Sequence, residues 1–115
     1  MDERLERALE FANYRITLSN QKRNIRTRMQ ILQTLHYSKG SFLADPITIG
    51  FVSALLSVGK TKGVIVDTKD NPIMIEDLDD FRANLIEKYS EASNEYKIQI
   101  DKVNKSRNIK KLMDW

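Results

Sequence analysis

The sequence predicts a mostly α-helical α+β fold, in which two long antiparallel helices form a hairpin stalk with a small helix and a β-hairpin at its tip. Residues 77–113 contain no Pro and no Gly, and their apolar residues recur in steps of three, four and seven. Residues 2–38 supply a second helical stretch of similar length. Long helices joined at one end should fold back antiparallel, so the 115 residues are expected to form a single domain.

Helix one is expected from about Asp2 to Tyr37, within residues 2–38. Its apolar side chains are expected to form one stripe on one face of the helix. The members of this stripe are Leu5, Ala8, Leu9, Ala12, Ile16, Ile25, Met29, Leu32 and His36. The run Ser38-Lys39-Gly40-Ser41 should end the helix, with Gly40 as a left-handed cap.

The tip of the stalk is expected to be formed by residues 40–76. Asp45 is a suitable N-cap, Pro46 suits the first helical position, and Gly59 should stop the short helix. The expected buried face of this helix consists of Ile47, Phe51, Ala54, Leu55 and Val58.

A β-hairpin should follow, from the β-branched run at 64–66 through a turn at 67–71 to a strand that starts at Pro72. A lone hairpin is only marginally stable, so the short helix should cover one of its faces. The tip core is therefore expected to contain Phe51, Leu55, Val64, Val66 and Ile73.

Charge is unevenly distributed, although the net charge is only +3. Residues 11–44 carry six bases and no acid, whereas residues 67–95 carry nine acids and three bases. In an antiparallel hairpin, the basic block would face acids of the second long helix. The expected partners of Lys22, Arg23 and Arg26 are Glu87, Glu91 and Glu95, and Glu3, Glu6 and Glu10 would lie near Lys105, Arg107, Lys110 and Lys111.

No chemical site can be assembled from these residue types. Cysteine is absent, which excludes disulfides and thiolate chemistry. The run Gly59-Lys60-Thr61 lacks the earlier glycine of a phosphate-binding loop, because Ala54 occupies that position. His36 is the only histidine, and the acids at 76–80 lack the spacing of a calcium loop. We therefore expect no catalytic residue, cofactor or metal, and no enzyme.

The sequence predicts neither a secretory signal nor a membrane-spanning segment. The chain begins Met1-Asp2-Glu3-Arg4, unlike a secretory signal, and its longest apolar run is too short to span a membrane. We expect an intracellular protein without a membrane partner.

The sequence is consistent with two kinds of binding surface. Arg23, Arg26 and Arg28 are candidates for phosphate contact, which would make the protein a weak, non-specific nucleic-acid binder. A two-helix seam cannot hide every apolar side chain, and surplus apolar surface commonly marks an interface. The candidates for self-association or protein binding are Phe11, Leu18, Ile98, Ile109 and Leu112.

Four short runs resemble a known family. They are Leu-Glu-Phe-Ala-Asn-Tyr-Arg at 9–15, Leu-Ser-Asn-Gln-Lys at 18–22, Ala-Ser-Asn-Glu-Tyr at 92–96 and Arg-Asn-Ile-Lys-Lys at 107–111. They are similar to the minor prohead core protein of T-even-type tailed phages, an internal scaffold around which the shell assembles.

The resemblance implies a structural role inside the prohead, in the host cytoplasm, with phage head or core proteins as partners. It also implies cleavage by a maturation protease, for which Leu85-Ile86-Glu87 matches the short recognition pattern. That tripeptide lies in the middle of a predicted helix.

Overall fold

The fold is mostly helical, with two long helices, one short helix and two antiparallel β-hairpins, which confirms the predicted fold class. The computed structural model describes residues 2–113, and the side chains of residues 2–105. The elements in chain order are α1 (Glu3–Leu32), β1 (Thr34–Tyr37), β2 (Gly40–Leu43), α2 (Pro46–Ser57), β3 (Gly63–Val66), β4 (Pro72–Ile75) and α3 (Leu78–Met113).

The chain divides into two compact units. One contains the residues up to Arg28 together with those from Tyr96 onward, and the other runs from Met29 to Glu95. We call them the helical unit and the mixed unit. The start of α1 and the end of α3 belong to the same unit, as expected for antiparallel helices.

The first hairpin was not predicted. α1 ends at Leu32, and β1 pairs with β2 in a register that sets Thr34 opposite Leu43 and Tyr37 opposite Gly40. Ser38 and Lys39 form the two-residue turn with positive φ values of 50° and 69°, as hairpin turns of this length require. The prediction of a helix to Tyr37, capped by a left-handed Gly40, is therefore wrong. Phe42 on β2 is almost fully buried in this arrangement.

Gly40 has a packing role instead of a capping one. A Cβ atom at this position would lie 2.9 Å from Cγ1 of Ile73 and 2.9 Å from the ring of Phe42. Phe42 is almost fully buried, so its ring has little room to move. Glycine is required because β2 approaches the second hairpin closely here.

The ends of α2 lie as predicted. The Asp45 carboxylate accepts a hydrogen bond of 2.8 Å from the backbone N–H of Thr48, Pro46 is the first helical residue, and Gly59 follows the helix with a φ of +86°. The side chain of Asp45 thus satisfies a donor that the first turn leaves unpaired.

The buried face of α2 differs from the predicted one. Val52 is fully buried, whereas Ile47 is 82% exposed, Phe51 54% and Val58 72%. Ile49, Leu55 and Leu56 complete the inward face, and Ala54 is exposed. Of the predicted set only Leu55 is on the correct side. α2 is apolar on nearly every side, so its periodicity does not select a face.

The second hairpin is confirmed, with Gly63 opposite Ile75 and Val66 opposite Pro72. Its predicted inward residues on β3 are wrong, because Val64 is 54% and Val66 61% exposed. Successive residues of a strand point to opposite faces, and the inward face of β3 carries Ile65.

The core of the mixed unit joins both hairpins, α2 and the first turns of α3. Its buried residues are Phe42, Ala44, Val52, Ile65, Ile75, Leu78, Phe81 and Leu85. The ring of Phe81 lies 4.8 Å from that of Phe42, nearly edge-on, and 5.0 Å from that of Tyr37. The predicted stripe of α3 is confirmed here, since Leu78, Phe81, Leu85 and Ala92 are fully buried.

Candidate interaction surfaces

The apolar residues of α1 lie on two opposite sides of the helix. Ile16 and Ile25 are nine residues apart, as are Leu9 and Leu18, and nine residues make about two and a half turns. The predicted single stripe from Leu5 through Ile25 is therefore wrong. We call one side the outer stripe, formed by Leu5, Leu9, Ala12 and Ile16, and the other the inner stripe, formed by Tyr14, Leu18 and Ile25.

The two stripes differ in exposure. Ile25 is buried, and Tyr14 and Leu18 are partly buried, within the helical unit that also contains the end of α3. On that part of α3 the partly buried residues are Tyr96, Gln99, Ile100 and Val103. In the outer stripe, Leu5 is 50% exposed, Leu9 47% and Ile16 59%. The outer stripe is thus an apolar helix face that remains in contact with water.

The predicted interaction residues occupy different environments. Phe11 is 61% exposed, with the guanidinium carbon of Arg15 lying 5.9 Å from its ring centroid. Ile98 is also exposed, at 49%. Leu18 is partly buried on the inner stripe and is less available to a partner. The side chains of Ile109 and Leu112 lie outside the described residues.

The three arginines proposed for phosphate contact are all exposed on α1. Arg26 is three positions after Arg23, which sets their side chains roughly 60° apart around the helix, whereas Arg26 and Arg28 are roughly 160° apart. The three arginines therefore do not share one face.

Within the described residues, the salt bridges lie inside single helices. They join Arg7 to Glu3 at 3.3 Å, Arg82 to Asp79 at 3.1 Å and Lys97 to Asp101 at 2.6 Å. Such exposed pairs contribute little to stability. The predicted interhelical pairing of the basic block with Glu87, Glu91 and Glu95 stays a prediction.

The acids of the tip have structural roles. The Asp67 carboxylate accepts hydrogen bonds from the backbone N–H groups of Asn71 at 2.8 Å, Lys69 at 2.9 Å and Ser41 at 3.2 Å. The bond from Asn71 is the main cause that lowers the pKa of Asp67, followed in the same direction by those from Ser41 and Lys69. Asp67 thus forms its own turn, as predicted, and also ties that turn to β2, which sequence reasoning missed.

Tyr37 and Asp80 form a contact that no sequence spacing could suggest. The Tyr37 hydroxyl donates a hydrogen bond of 2.7 Å to Oδ2 of Asp80 in the first turn of α3. This hydrogen bond, with smaller effects of burial and nearby negative charge, raises the pKa of Tyr37 to about 12. His36 lies beside it on β1, with its Nδ1 atom 3.0 Å from the Ser41 hydroxyl.

The predicted cleavage tripeptide lies inside α3. Leu85 is fully buried in the core of the mixed unit, whereas Ile86 is 45% exposed and Glu87 is exposed. Cleavage there stays a prediction, and it would require local opening of the helix.

Across the described residues, no three His, Cys, Asp or Glu side chains are grouped so that they could hold a metal ion. None of the helices in the described part of the chain is both long and apolar enough to cross a membrane. The chain matches no protein-family model, no curated protein and no solved structure.

Proposed function

We propose that this protein is a non-enzymatic assembly component of a tailed-phage head, which acts inside the prohead through protein–protein contacts. The observation that supports this proposal is the outer stripe of α1. Leu5, Leu9 and Ile16 remain about half exposed on one helix face, while the inner stripe on the opposite side is buried or partly buried within the helical unit. Among the described side chains of α1, the outer stripe is therefore the apolar face that stays most open to water.

Burial of the outer stripe would provide the free energy of association. Each Å² of apolar surface removed from water contributes about 25 cal/mol, so several half-exposed side chains on one face favour helix-on-helix contact. A single helix face buries less than a standard stable interface, and the resulting contact is weak. Weak contacts repeated over many copies suit a scaffold that has to be removed after the shell has formed.

The alternative is a nucleic-acid-associated accessory protein. Its support is the exposure of Arg23, Arg26 and Arg28. The angular spread of these arginines around α1 weighs against it, because a duplex would meet only part of the set at once. Any binding of this kind would be electrostatic and would weaken steeply with salt.

The proposal is tested by adding a charge to the outer stripe. We expect Leu9→Glu and Ile16→Glu to shift wild-type assemblies towards smaller species in sedimentation velocity, because a carboxylate in an apolar contact is costly to bury. Thr17→Glu is the matched control, since Thr17 is exposed next to Ile16 and the substitution adds the same charge on another side of the helix. We expect this control to sediment like the wild type.

Circular dichroism should show full helix content for all three variants, since the substituted side chains are exposed. If Ile16→Glu and Thr17→Glu behaved alike, the outer stripe would not be an interface and the proposal would fail.

A further inference from the structure

A second apolar helix face lies in the mixed unit. Ile47, Phe51 and Val58 are exposed along α2 and its C-cap at spacings of four and seven, which places them on one side of the helix. Gly50 and Ala54 lie on the same side and are also exposed. We call these five residues the α2 stripe. The opposite side of α2 carries Val52 and packs into the core.

Gly50 is unexplained by the fold of one chain. A Cβ atom built on Gly50 would meet no atom of the described residues within 4 Å, so packing within the described part of the chain leaves room for a larger residue there. A glycine inside a helix makes the folded state less stable than an alanine would, because glycine loses more conformational freedom on folding. Small residues at helix surfaces allow a second helix backbone to approach closely. Gly50 and Ala54 are spaced by four residues and form such a shallow recess.

We infer that the α2 stripe packs against the α2 stripe of a second copy of this chain, about a two-fold axis near Gly50 and Ala54. Two features favour a second copy as the occupant. The first is charge: a two-fold contact brings identical groups together, and Pro46–Ser57 contains no Asp, Glu, Lys or Arg that would repel its own copy.

The second feature is shape. The α2 stripe contains both the large side chains Ile47 and Phe51 and the recess at Gly50 and Ala54, so each copy offers a ridge and a groove to the other. A membrane surface is the less suitable occupant, because interfacial helices carry Lys and Arg on their polar face and α2 carries none.

This contact goes beyond the proposed function and is independent of the outer stripe. A two-fold contact between α2 stripes closes a dimer and uses none of the residues of the outer stripe. Two different interfaces on one chain extend an assembly beyond a dimer, which one two-fold interface does not.

Single-cysteine crosslinking tests the two-fold contact directly, because the chain contains no cysteine of its own. Ala54→Cys, placed in a Leu9→Glu, Ile16→Glu background to suppress the outer stripe, should form a disulfide-linked dimer under mild oxidation. Ser90→Cys in the same background is the matched control, since Ser90 is exposed on α3 in the same unit. We expect at least about tenfold faster dimer formation for Ala54→Cys, and equal rates would overturn the inference.

Two further variants separate the contact from the fold. In the same Leu9→Glu, Ile16→Glu background, we expect Phe51→Glu and Gly50→Leu to raise the dimer dissociation constant by at least about tenfold, with Ile86→Glu on exposed α3 as the control that leaves it unchanged. Gly50→Leu should not lower the thermal midpoint, because a Cβ atom at this position has open space around it and leucine has a higher helix propensity than glycine. If Ile86→Glu raised the dimer dissociation constant as much as Phe51→Glu, the α2 contact would be refuted. It would also be refuted if the wild-type protein were monomeric and bound vesicles of anionic phospholipid through Phe51. The outer stripe is tested separately by Leu9→Glu and Ile16→Glu in the otherwise wild-type chain, so failure of the α2 contact is distinguishable from failure of the proposed function.

Discussion

The hydroxyl of Tyr37 on β1 lies 2.7 Å from Oδ2 of Asp80 in the first turn of α3, and its hydrogen bond joins two elements that are 43 residues apart in sequence. The ring of Tyr37 also packs on Phe81, one residue after Asp80. The first hairpin is thus held to the start of α3 by an aromatic contact and a charge-assisted hydrogen bond.

Tyr37 should therefore ionise only at a higher pH than an ordinary tyrosine. Its pKa is raised to about 12 in the folded protein, against an ordinary value of 10.0, so the contact stabilises the fold below pH 10 and is lost as the pH rises through 12. In a spectrophotometric titration of the tyrosines, the signal that disappears in Tyr37→Phe belongs to Tyr37. Asp80→Asn should lower the pKa of that signal. An unchanged titration in Asp80→Asn would contradict the contact.

Two glycines should respond in opposite directions to the same substitution. Gly40→Ala places a methyl group 2.9 Å from Ile73 and from the Phe42 ring, so it should lower the free energy of unfolding by about 1–3 kcal/mol. Gly50→Ala meets no atom and should raise it by about 0.5–1 kcal/mol through helix propensity. Urea unfolding under conditions where the protein is monomeric measures both values. A stabilising Gly40→Ala would show that the two hairpins do not approach closely.

Two phenylalanines provide a matched test of the core. Phe81 is fully buried between the rings of Tyr37 and Phe42, and Phe81→Ala should cost about 3–5 kcal/mol of unfolding free energy. Phe51 is 54% exposed, and Phe51→Ala should cost less than about 1 kcal/mol in the monomer. Similar losses for the two variants would mean that α2 presents the other face to the core.

Low pH should destabilise the turn at 67–71, whose backbone N–H groups donate hydrogen bonds to the Asp67 carboxylate. Because the folded pKa of Asp67 is lowered by its backbone hydrogen bonds, the stabilisation is present above the unfolded pKa of about 3.9 and is lost as the pH falls through the folded value. Asp67→Asn should be less stable than the wild type at pH 7, and this difference should shrink in acid. Asp70→Asn controls for loss of a turn carboxylate, since Asn tolerates the positive φ of 62° at that position. A difference that was independent of pH would contradict the role of the Asp67 charge.

The sequence predicts the elements whose signals are local. The Asp45 cap, Pro46 at the helix start, the stop at Gly59 and the turn at 67–71 all lie as expected, because each depends on a few adjacent residues. The hairpin at 34–43 was missed because its turn uses Ser38 and Lys39, rather than the glycine or asparagine that usually indicates one.

The exposed and buried faces were harder to predict. Phe51 and Val52 are both apolar neighbours on α2, so composition does not tell which of them faces the core. On α1, Ile16 and Ile25 are about two and a half turns apart and lie on opposite sides, although the apolar residues before and after them can be read as one continuous stripe. Long-range contacts such as Ser41 with Asp67 depend on tertiary packing and have no signature in sequence.

The most direct test of the proposed role is sedimentation velocity of the wild-type protein in about 0.5 M salt, with and without a labelled DNA duplex. Salt at this concentration screens charge over a few ångströms and leaves apolar contacts largely intact. If the protein assembles through apolar helix faces, species larger than a dimer should persist, with the duplex sedimenting separately. A protein that stays monomeric at every concentration, and that binds the duplex at low salt through Arg23 and Arg26, would contradict the assembly role.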